Sequence, residues 1–346
     1  MKKATIIGHF AEKIEYLDGQ TIKTRIIAEE FRHKWGNKQI AKIDTHGSIK
    51  TFLKAPFQVL QALQSSKNII ILPAHNGLRV YAPLLKIGHI FFQKRKLHYV
   101  VIGGWLPEFL KRHWFTKRCL KAFNAIYVET NTMKKALEKQ DFTNVYVMSN
   151  CKDLKILSSE ELVYQNEEPY RLCTFSRVMK EKGIEDAINA VRVINEKVGR
   201  VIYKLDIYGP IDPNQTEWFE KIQTTFPKYV SYKGTVPSNK SVDVLQNYFL
   251  LVFPTRFFTE GIPGTIIDAY AAGVPVVASK WENFDDVIDE GVTGFGFSFK
   301  STSEFVELLY CIAKKPQMVM DLKKECIKKA QYFTPDKAIG ILVRKM

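Results

Sequence analysis

Cysteine is scarce and unpaired in this 346-residue chain. Cys119, Cys151, Cys173, Cys311 and Cys326 are odd in number and scattered, with no Cys-x-x-Cys pair among them. That pattern excludes a disulfide framework and a thiolate metal cage, and all five are expected as reduced, buried thiols. Histidine is confined to one part of the chain, from His9 to His113, and never falls at His-x-x-x-His spacing. No metal site is expected on that account. A run long enough to cross a bilayer is also missing. The best stretch, Asn68–Phe92, is broken by His75, Asn76, Arg79, Lys86 and His89. Met1-Lys2-Lys3 begins like a secretory leader, but the apolar run from Ala4 already contains Gly8 and His9 and stops at Glu12-Lys13. It is expected to be a first buried strand instead. No repeat or low-complexity segment is evident. Together these absences point to a cytoplasmic protein, or one peripheral on the inner face of the plasma membrane.

What the chain does have is positive charge, placed unevenly. The formal net charge is +15. Residues 1–165 carry 27 lysines and arginines against 13 carboxylates, whereas residues 166–346 carry 24 against 23. The first half is therefore expected to meet a polyanion: anionic lipid, nucleic acid or a phosphorylated substrate. Two segments there, Phe91–Lys96 and Phe109–Arg118, mix cations with aromatics as a membrane-surface segment would.

Apolar strand-like runs alternate with helical patterns along the whole chain. In the first half the strands are expected at residues 4–8, 39–43, 68–72, 97–102, 125–128 and 145–148. In the second half they are expected at 171–175, 203–208, 230–232, 250–253, 275–278 and 294–297, with helices from 302 to 345. Two successive series of this kind predict two α/β domains with parallel, doubly wound sheets, 1–165 and 166–346, joined near the polar segment 165–169. Ligands of such sheets bind beyond the carboxyl ends of the strands.

The most informative segment runs Glu260-Gly261-Ile262-Pro263-Gly264-Thr265-Ile266-Ile267-Asp268, followed by Gly273-Val274-Pro275 and a short strand. A helix is expected to begin near Pro263, a residue suited to a first helical turn. Its unpaired N–H groups and positive dipole end suit a phosphate. Carboxylates eight residues apart, Glu260 and Asp268, can accept hydrogen bonds from sugar hydroxyls. Upstream, Ser176-Arg177-Val178-Met179-Lys180-Glu181-Lys182-Gly183 follows a strand, and Arg177 and Lys182 are two cations suited to a diphosphate.

These two segments resemble the Glu-x7-Glu and Gly-Arg-Leu-x-x-x-Lys-Gly elements of family-4 retaining glycosyltransferases, as found among bacterial capsular and exopolysaccharide enzymes. The resemblance covers roughly Arg171–Phe297. Two positions depart from it: Asp268 replaces the second Glu, and Ser176 replaces the first Gly. The resemblance implies a GT-B fold, two Rossmann-like domains facing across a cleft, with a basic acceptor-binding domain first and a nucleotide-sugar-binding domain second. It implies transfer of a sugar from a nucleoside diphosphate, UDP first among candidates, to a glycan acceptor carried on a polyprenyl diphosphate. It implies catalytic roles for Glu260, Arg177 and Lys182, and donor contacts at Gly209, Val236 and the Gly261–Thr265 turn, with Asp268 on the ribose. Gly19, Gln20 and Thr21 correspond to a loop closing over phosphate and acceptor, with Thr21 able to cap the first helix. Family members often carry a His near the donor sugar where Gly103-Gly104 stands here, and His75 and Asn76, expected at the end of the preceding strand, are the substitutes available. No Asp-x-Asp occurs, so the metal-holding motif of the other glycosyltransferase architecture is absent. Asp285-Asp286 reads as part of a solvated turn. No cofactor or metal and no nucleic-acid partner is expected. A sugar-nucleotide epimerase of the same fold, or a non-catalytic GT-B partner protein, would share these features.

Overall fold

The computed structural model describes residues 1–11, 19–46 and 53–346. They divide into two compact units, Met1–Asp153 together with Phe333–Met346, and Leu154–Tyr332.

The first unit contains β1 (Lys2–Gly8), β2 (Ile40–Asp44), β3 (Ser66–Ile71), β4 (Lys96–Val100), β5 (Ala125–Val128) and β6 (Val145–Val147). All pair in parallel, in the order β2-β1-β3-β4-β5-β6. Alternate side chains feed two cores. Ile7, Ile69, Ile71, Leu97, Tyr99 and Ile126 point to one, and Ala4, Ile6, Ile70, Val100 and Tyr127 to the other. Burial on both faces is why these strands read as nearly continuous apolar runs.

The second unit contains β7 (Tyr170–Phe175), β8 (Tyr203–Tyr208), β9 (Val230–Gly234), β10 (Leu250–Phe253), β11 (Val276–Ser279) and β12 (Gly294–Phe297). These are again all parallel, in the order β12-β11-β10-β7-β8-β9. Each sheet reverses its winding once. In the first, the reversal lies between β1 and β3, and in the second between β7 and β10. The crevices beyond Gly8 and Ile71, and beyond Phe175 and Phe253, are thus where each unit is built to hold a ligand.

The expected strands are all present, with ends displaced by one or two residues. The expected domain boundary is corrected. The chain passes to the second unit at Asp153–Leu154, because Leu157 and Leu162 are buried and Leu157 N donates to Ala271 O at 2.9 Å. Gln165 lies inside that unit, donating to Asn247 O at 2.6 Å and accepting from Arg171 N at 3.0 Å. The last helix, Pro335–Lys345, returns to the first unit and buries Ala338, Ile339 and Leu342 in the core holding Ile6 and Ile70. Cys311 is also corrected: it is exposed on the helix Thr302–Lys314, whose inward side is Phe305, Leu309 and Ile312. Asp285 and Asp286 lie on a short helix, Phe284–Val287, anchored by buried Phe284 and Val287.

One buried cation carries a stability cost. Lys323 is 2% exposed, and burial pulls its ammonium down to about 8, partly offset by the nearby Cys326. Below that pH the folded state holds a desolvated charge. Between there and the unfolded-state value near 10.4, the unfolded chain binds the extra proton, so stability from this group rises with pH. Lys323→Met should therefore stabilise the second unit at pH 7 by about 1–3 kcal/mol. Its advantage over the parent should shrink from pH 8 to 10 in paired urea titrations.

Candidate active site

Two connections leave the reversal point of the second sheet. After β7 the chain runs through Ser176 and Arg177 into a turn at Lys180–Lys182, then Gly183 and the helix Ile184–Val198. After β10 it runs from Pro254 to Pro263 and into the helix Gly264–Ala271. Gly183 has φ 71°, and a Cβ there would lie 2.0 Å from Pro254 O, so only glycine lets the two connections touch. Further bonds fasten them. Arg256 N donates to Glu181 O at 2.8 Å, and the Arg256 guanidinium forks onto Asp186, both bonds 2.7 Å. Lys182 Nζ is ion-paired with Glu260 Oε1, the two side chains being only 17% and 16% exposed. The same ammonium lies 5.4 Å from the Phe253 ring centre and 5.1 Å from that of Phe257, so aromatic faces add to its hold.

Glu260 is positioned from behind. Thr255 Oγ1 donates to Oε1 at 3.3 Å, and Asn283 Nδ2 donates to the Glu260 carbonyl at 2.6 Å. Thr255 is itself fixed by Ser279 Oγ, which donates to its carbonyl at 2.6 Å. Beyond Glu260, Gly261 and Ile262 are buried and lead into the helix. Pro263 stands at the N-cap rather than inside the first turn, with φ −66° and ψ 127°, and among the described residues no side chain caps this end. Thr265 Oγ1 in that first turn is buried with no hydrogen-bond partner among the described residues, an arrangement that costs stability unless a ligand satisfies it. Asp268 lies in the next turn, 3% exposed.

Arg177 is 3.5 Å from Asp212 Oδ2 and 47% exposed. It is held at the end of β7 by the β8 turn. Gly209 has φ 132°, and a Cβ there would lie 1.8 Å from Ser176 O. Gly209 N donates to Gly234 O at 2.8 Å, and Tyr232 OH donates to Gly209 O at 2.9 Å, which joins the ends of β7, β8 and β9. Val236 follows two residues after β9, half-buried. The structure thus puts Lys182 and Glu260 in direct contact, beside the Gly261–Thr265 turn. Arg177 and Gly209 sit at neighbouring strand ends. Thr255, Arg256, Asp212 and Asn283 were not foreseen; Asn283 had a signal in its place just after a strand, whereas Arg256 and Asp212 act through pairs that only the fold creates.

At the reversal point of the first sheet lies a pocket of about 230 Å³ whose lining includes His9, Gln20, Thr45, His75, Asn76 and Tyr81. Gln20 Nε2 donates to Leu72 O at 3.0 Å. The helix is already formed at Gly19, so Thr21 is a buried residue of its first turn rather than a cap, with its Oγ1 2.6 Å from His9 Nδ1. Asp18, before it, lies outside the described residues. His9 Nε2 is in turn 2.6 Å from His46 Nδ1. His75 and Asn76 open the helix His75–Phe91 instead of ending β3. His75 stacks on Trp105 with ring centres 3.9 Å apart, and burial, then the charge of His113, lowers its pKa. Gly103, with φ 80°, turns the chain so that Trp105 meets His75; neither Gly103 nor Gly104 lines the pocket.

Residues 169–314 match the family model described as "Glycosyl transferases group 1". Among curated proteins the chain is similar to the amylovoran biosynthesis glycosyltransferase AmsK of Erwinia amylovora, 28% identical over 131 residues, 37% of this chain and 32% of that protein. The matched region spans about a third of the length of the curated relatives. Among solved structures it is similar to HepE of Anabaena in complex with UDP and glucose, with TM-score 0.76, 15% identity and 99% of both chains covered. It is likewise similar to sucrose-phosphate synthase of Thermosynechococcus elongatus, with TM-score 0.78, 14% identity, and 100% and 98% covered. The fold is GT-B, and residues 169–314, within the second unit, are similar to the group 1 glycosyltransferase domain.

Gly183→Ala should lower the stability of the second unit by about 1–3 kcal/mol or more, through a strained φ and a backbone clash. Gly199, with φ 74° and open space around it, is the control. Gly199→Ala meets only the φ penalty, so equal losses for both variants in urea unfolding would remove the contact from the account.

Proposed function

We propose that this chain, a GT-B protein with a region similar to the group 1 glycosyltransferase domain, is a retaining glycosyltransferase that moves a sugar from a UDP-linked donor to a growing surface polysaccharide on a polyprenyl-diphosphate carrier. The observation that carries this reading is the Lys182–Glu260 pair, set beside a helix start that among the described residues is uncapped and holds a buried, unpartnered Thr265 hydroxyl, at the reversal point of the second sheet. A diphosphate supplies the missing acceptor for Thr265 and the negative charge that Lys182 and Arg177 are placed to meet. Sugar hydroxyls supply donors for Glu260, and the ribose hydroxyls supply donors for Asp268. Gly209 lets the β8 turn pack against Ser176 O, which holds Arg177 at the donor site, and Val236 offers main-chain groups to the base. The first-unit pocket, with Gln20, His75 and Asn76, is the acceptor side of the reaction.

In the reaction the bond from the anomeric carbon to the diphosphate oxygen breaks, and negative charge gathers on the departing UDP. Positive groups already aimed at that charge lower the barrier without reorganising. The acceptor hydroxyl attacks from the face that the diphosphate leaves, and a phosphate oxygen takes its proton. Arg177, Lys182 and the helix dipole neutralise the leaving group, so the reading predicts turnover without a divalent cation. The surface-polysaccharide acceptor is favoured by the likeness of 131 residues of this chain to AmsK, which is named for amylovoran biosynthesis.

A thermal-shift screen across UDP- and GDP-sugars should identify the donor by a raised melting temperature. With that donor, Arg177→Ala and Lys182→Ala should each cut turnover on the order of 10²-fold or more, and a chelator should leave the parent rate unchanged. Near-normal turnover in both variants would discard the diphosphate clamp, and loss of activity on chelation would discard the metal-independent scheme.

A further inference from the structure

Three helices lie side by side on one face of the first sheet: Ala55–Ser65, His75–Phe91 and Trp114–Leu120. The middle one, His75–Phe91, touches both of the others. A Cβ on Gly88 would lie 2.5 Å from Leu63 Cδ1, which marks the side facing Ala55–Ser65. Lys86 Nζ donates to Arg118 O at 3.5 Å, which marks the side facing Trp114–Leu120. Leu78, Ala82 and Leu85 point down to the sheet. The one direction left points outward, and at 100° per residue it is occupied by Ile87, Ile90 and Phe91. Ile90 is 64% exposed and Phe91 79%. The neighbouring helices add outward apolar groups in the same layer, Phe57 at 71% on one side and Trp114 at 70% on the other. Exposed apolar residues scattered singly are ordinary; a ridge of them carried on three adjacent helices is not.

The charge around the ridge selects its occupant. Residues 53–121 contain twelve lysines and arginines and a single carboxylate, Glu108. Lys54, Lys94, Arg112 and Arg118 are exposed around these helices. The two segments singled out in the sequence contribute only in part: Phe109 stacks inward on His113, 3.8 Å between ring centres, and Leu110 is buried, so the apolar surface moves to the middle helix. An apolar ridge inside a cationic border fits a bilayer interface with anionic headgroups, where the rings and aliphatic chains enter the acyl boundary and the cations meet phosphate. We infer that this three-helix face seats the protein on an anionic membrane. The inference is independent of the donor chemistry, since binding to lipid needs neither UDP-sugar nor acceptor.

Flotation of the full chain with vesicles tests it, without donor. The parent should float with phosphatidylglycerol vesicles, stay behind with phosphatidylcholine vesicles, and come off as salt is raised. Ile87→Glu combined with Ile90→Glu should reduce partition on the order of tenfold or more, and Trp114→Ser, on a different helix, should weaken it in the same direction. Lys94→Glu with Arg118→Glu should weaken binding and flatten its salt dependence. Both ridge variants should keep the parent's thermal stabilisation by donor, which separates this result from a failure of the transfer reading. No flotation of the parent at low salt, or equal flotation of parent and ridge variants, would overturn the assignment. So would a parent dimer that the ridge variants convert to monomer without vesicle binding, because the face would then belong to a second copy of the chain.

Discussion

Everything in the second unit's site depends on a backbone contact that leaves no room for a side chain. Gly183 rests against Pro254 O, so the turn after β7 and the connection after β10 meet at the point where the sheet reverses its winding. Once they meet, Lys182 needs no reach to find Glu260, and Arg256 closes the junction onto Asp186 with two short bonds. An exposed lysine–glutamate pair adds little to stability, because both side chains lose freedom and water screens the attraction. Here both groups are mostly buried, the lysine is flanked by two aromatic faces, and the glutamate is oriented by Thr255 and by the Asn283 bond to its backbone. The pair is less a source of stability than a way of keeping a cation and a carboxylate fixed in a partly dry crevice. In the proposed reaction each would meet a different part of one ligand, the cation the diphosphate and the carboxylate the sugar.

The two sheets were readable from the sequence because both faces of each are covered. A strand buried on both sides is apolar at nearly every position, as in Ile69-Ile70-Ile71 or Leu250-Leu251-Val252, and stands out from the polar helix surfaces around it. The candidate site was readable for a related reason. Glycines, cations and carboxylates at the carboxyl ends of such strands have no role in the cores, so their spacing carries chemistry.

What stayed hidden was whatever depends on which remote segments meet. The amphipathic pattern of Pro335–Lys345 declares a helix with Ala338, Ile339 and Leu342 on one side, but says nothing about which sheet receives them. Leu157 and Leu162 lie in a polar stretch just ahead of the expected linker at 165–169, yet their burial fixes it to the second unit. Thr21 looks like a cap because it precedes an apolar pattern, whereas the helix already includes Gly19 and uses Thr21 against His9. In each case the local pattern was silent about the partner, and for Thr21 and the stretch holding Leu157 and Leu162 it misread the element as well.

The uneven charge follows from the same division of labour. Residues 1–165 hold 27 cations and 13 carboxylates, so at least fourteen of those cations are left over from any one-to-one pairing within that segment. Residues 166–346 are nearly balanced, and pairs such as Arg171–Asp206, Arg256–Asp186 and Lys329–Asp289 absorb their charge. Unbalanced charge of one sign weakens a compact fold through self-repulsion. The excess therefore costs the first unit stability, a cost that an anionic partner offsets. Its densest part, residues 53–121, includes the helices bearing the outward isoleucines, phenylalanines and Trp114, which a purely polar partner would leave in water. In the proposed membrane seating the cations meet anionic headgroups and the apolar side chains enter the acyl boundary beneath them, so one partner offsets both the charge and the exposed apolar surface.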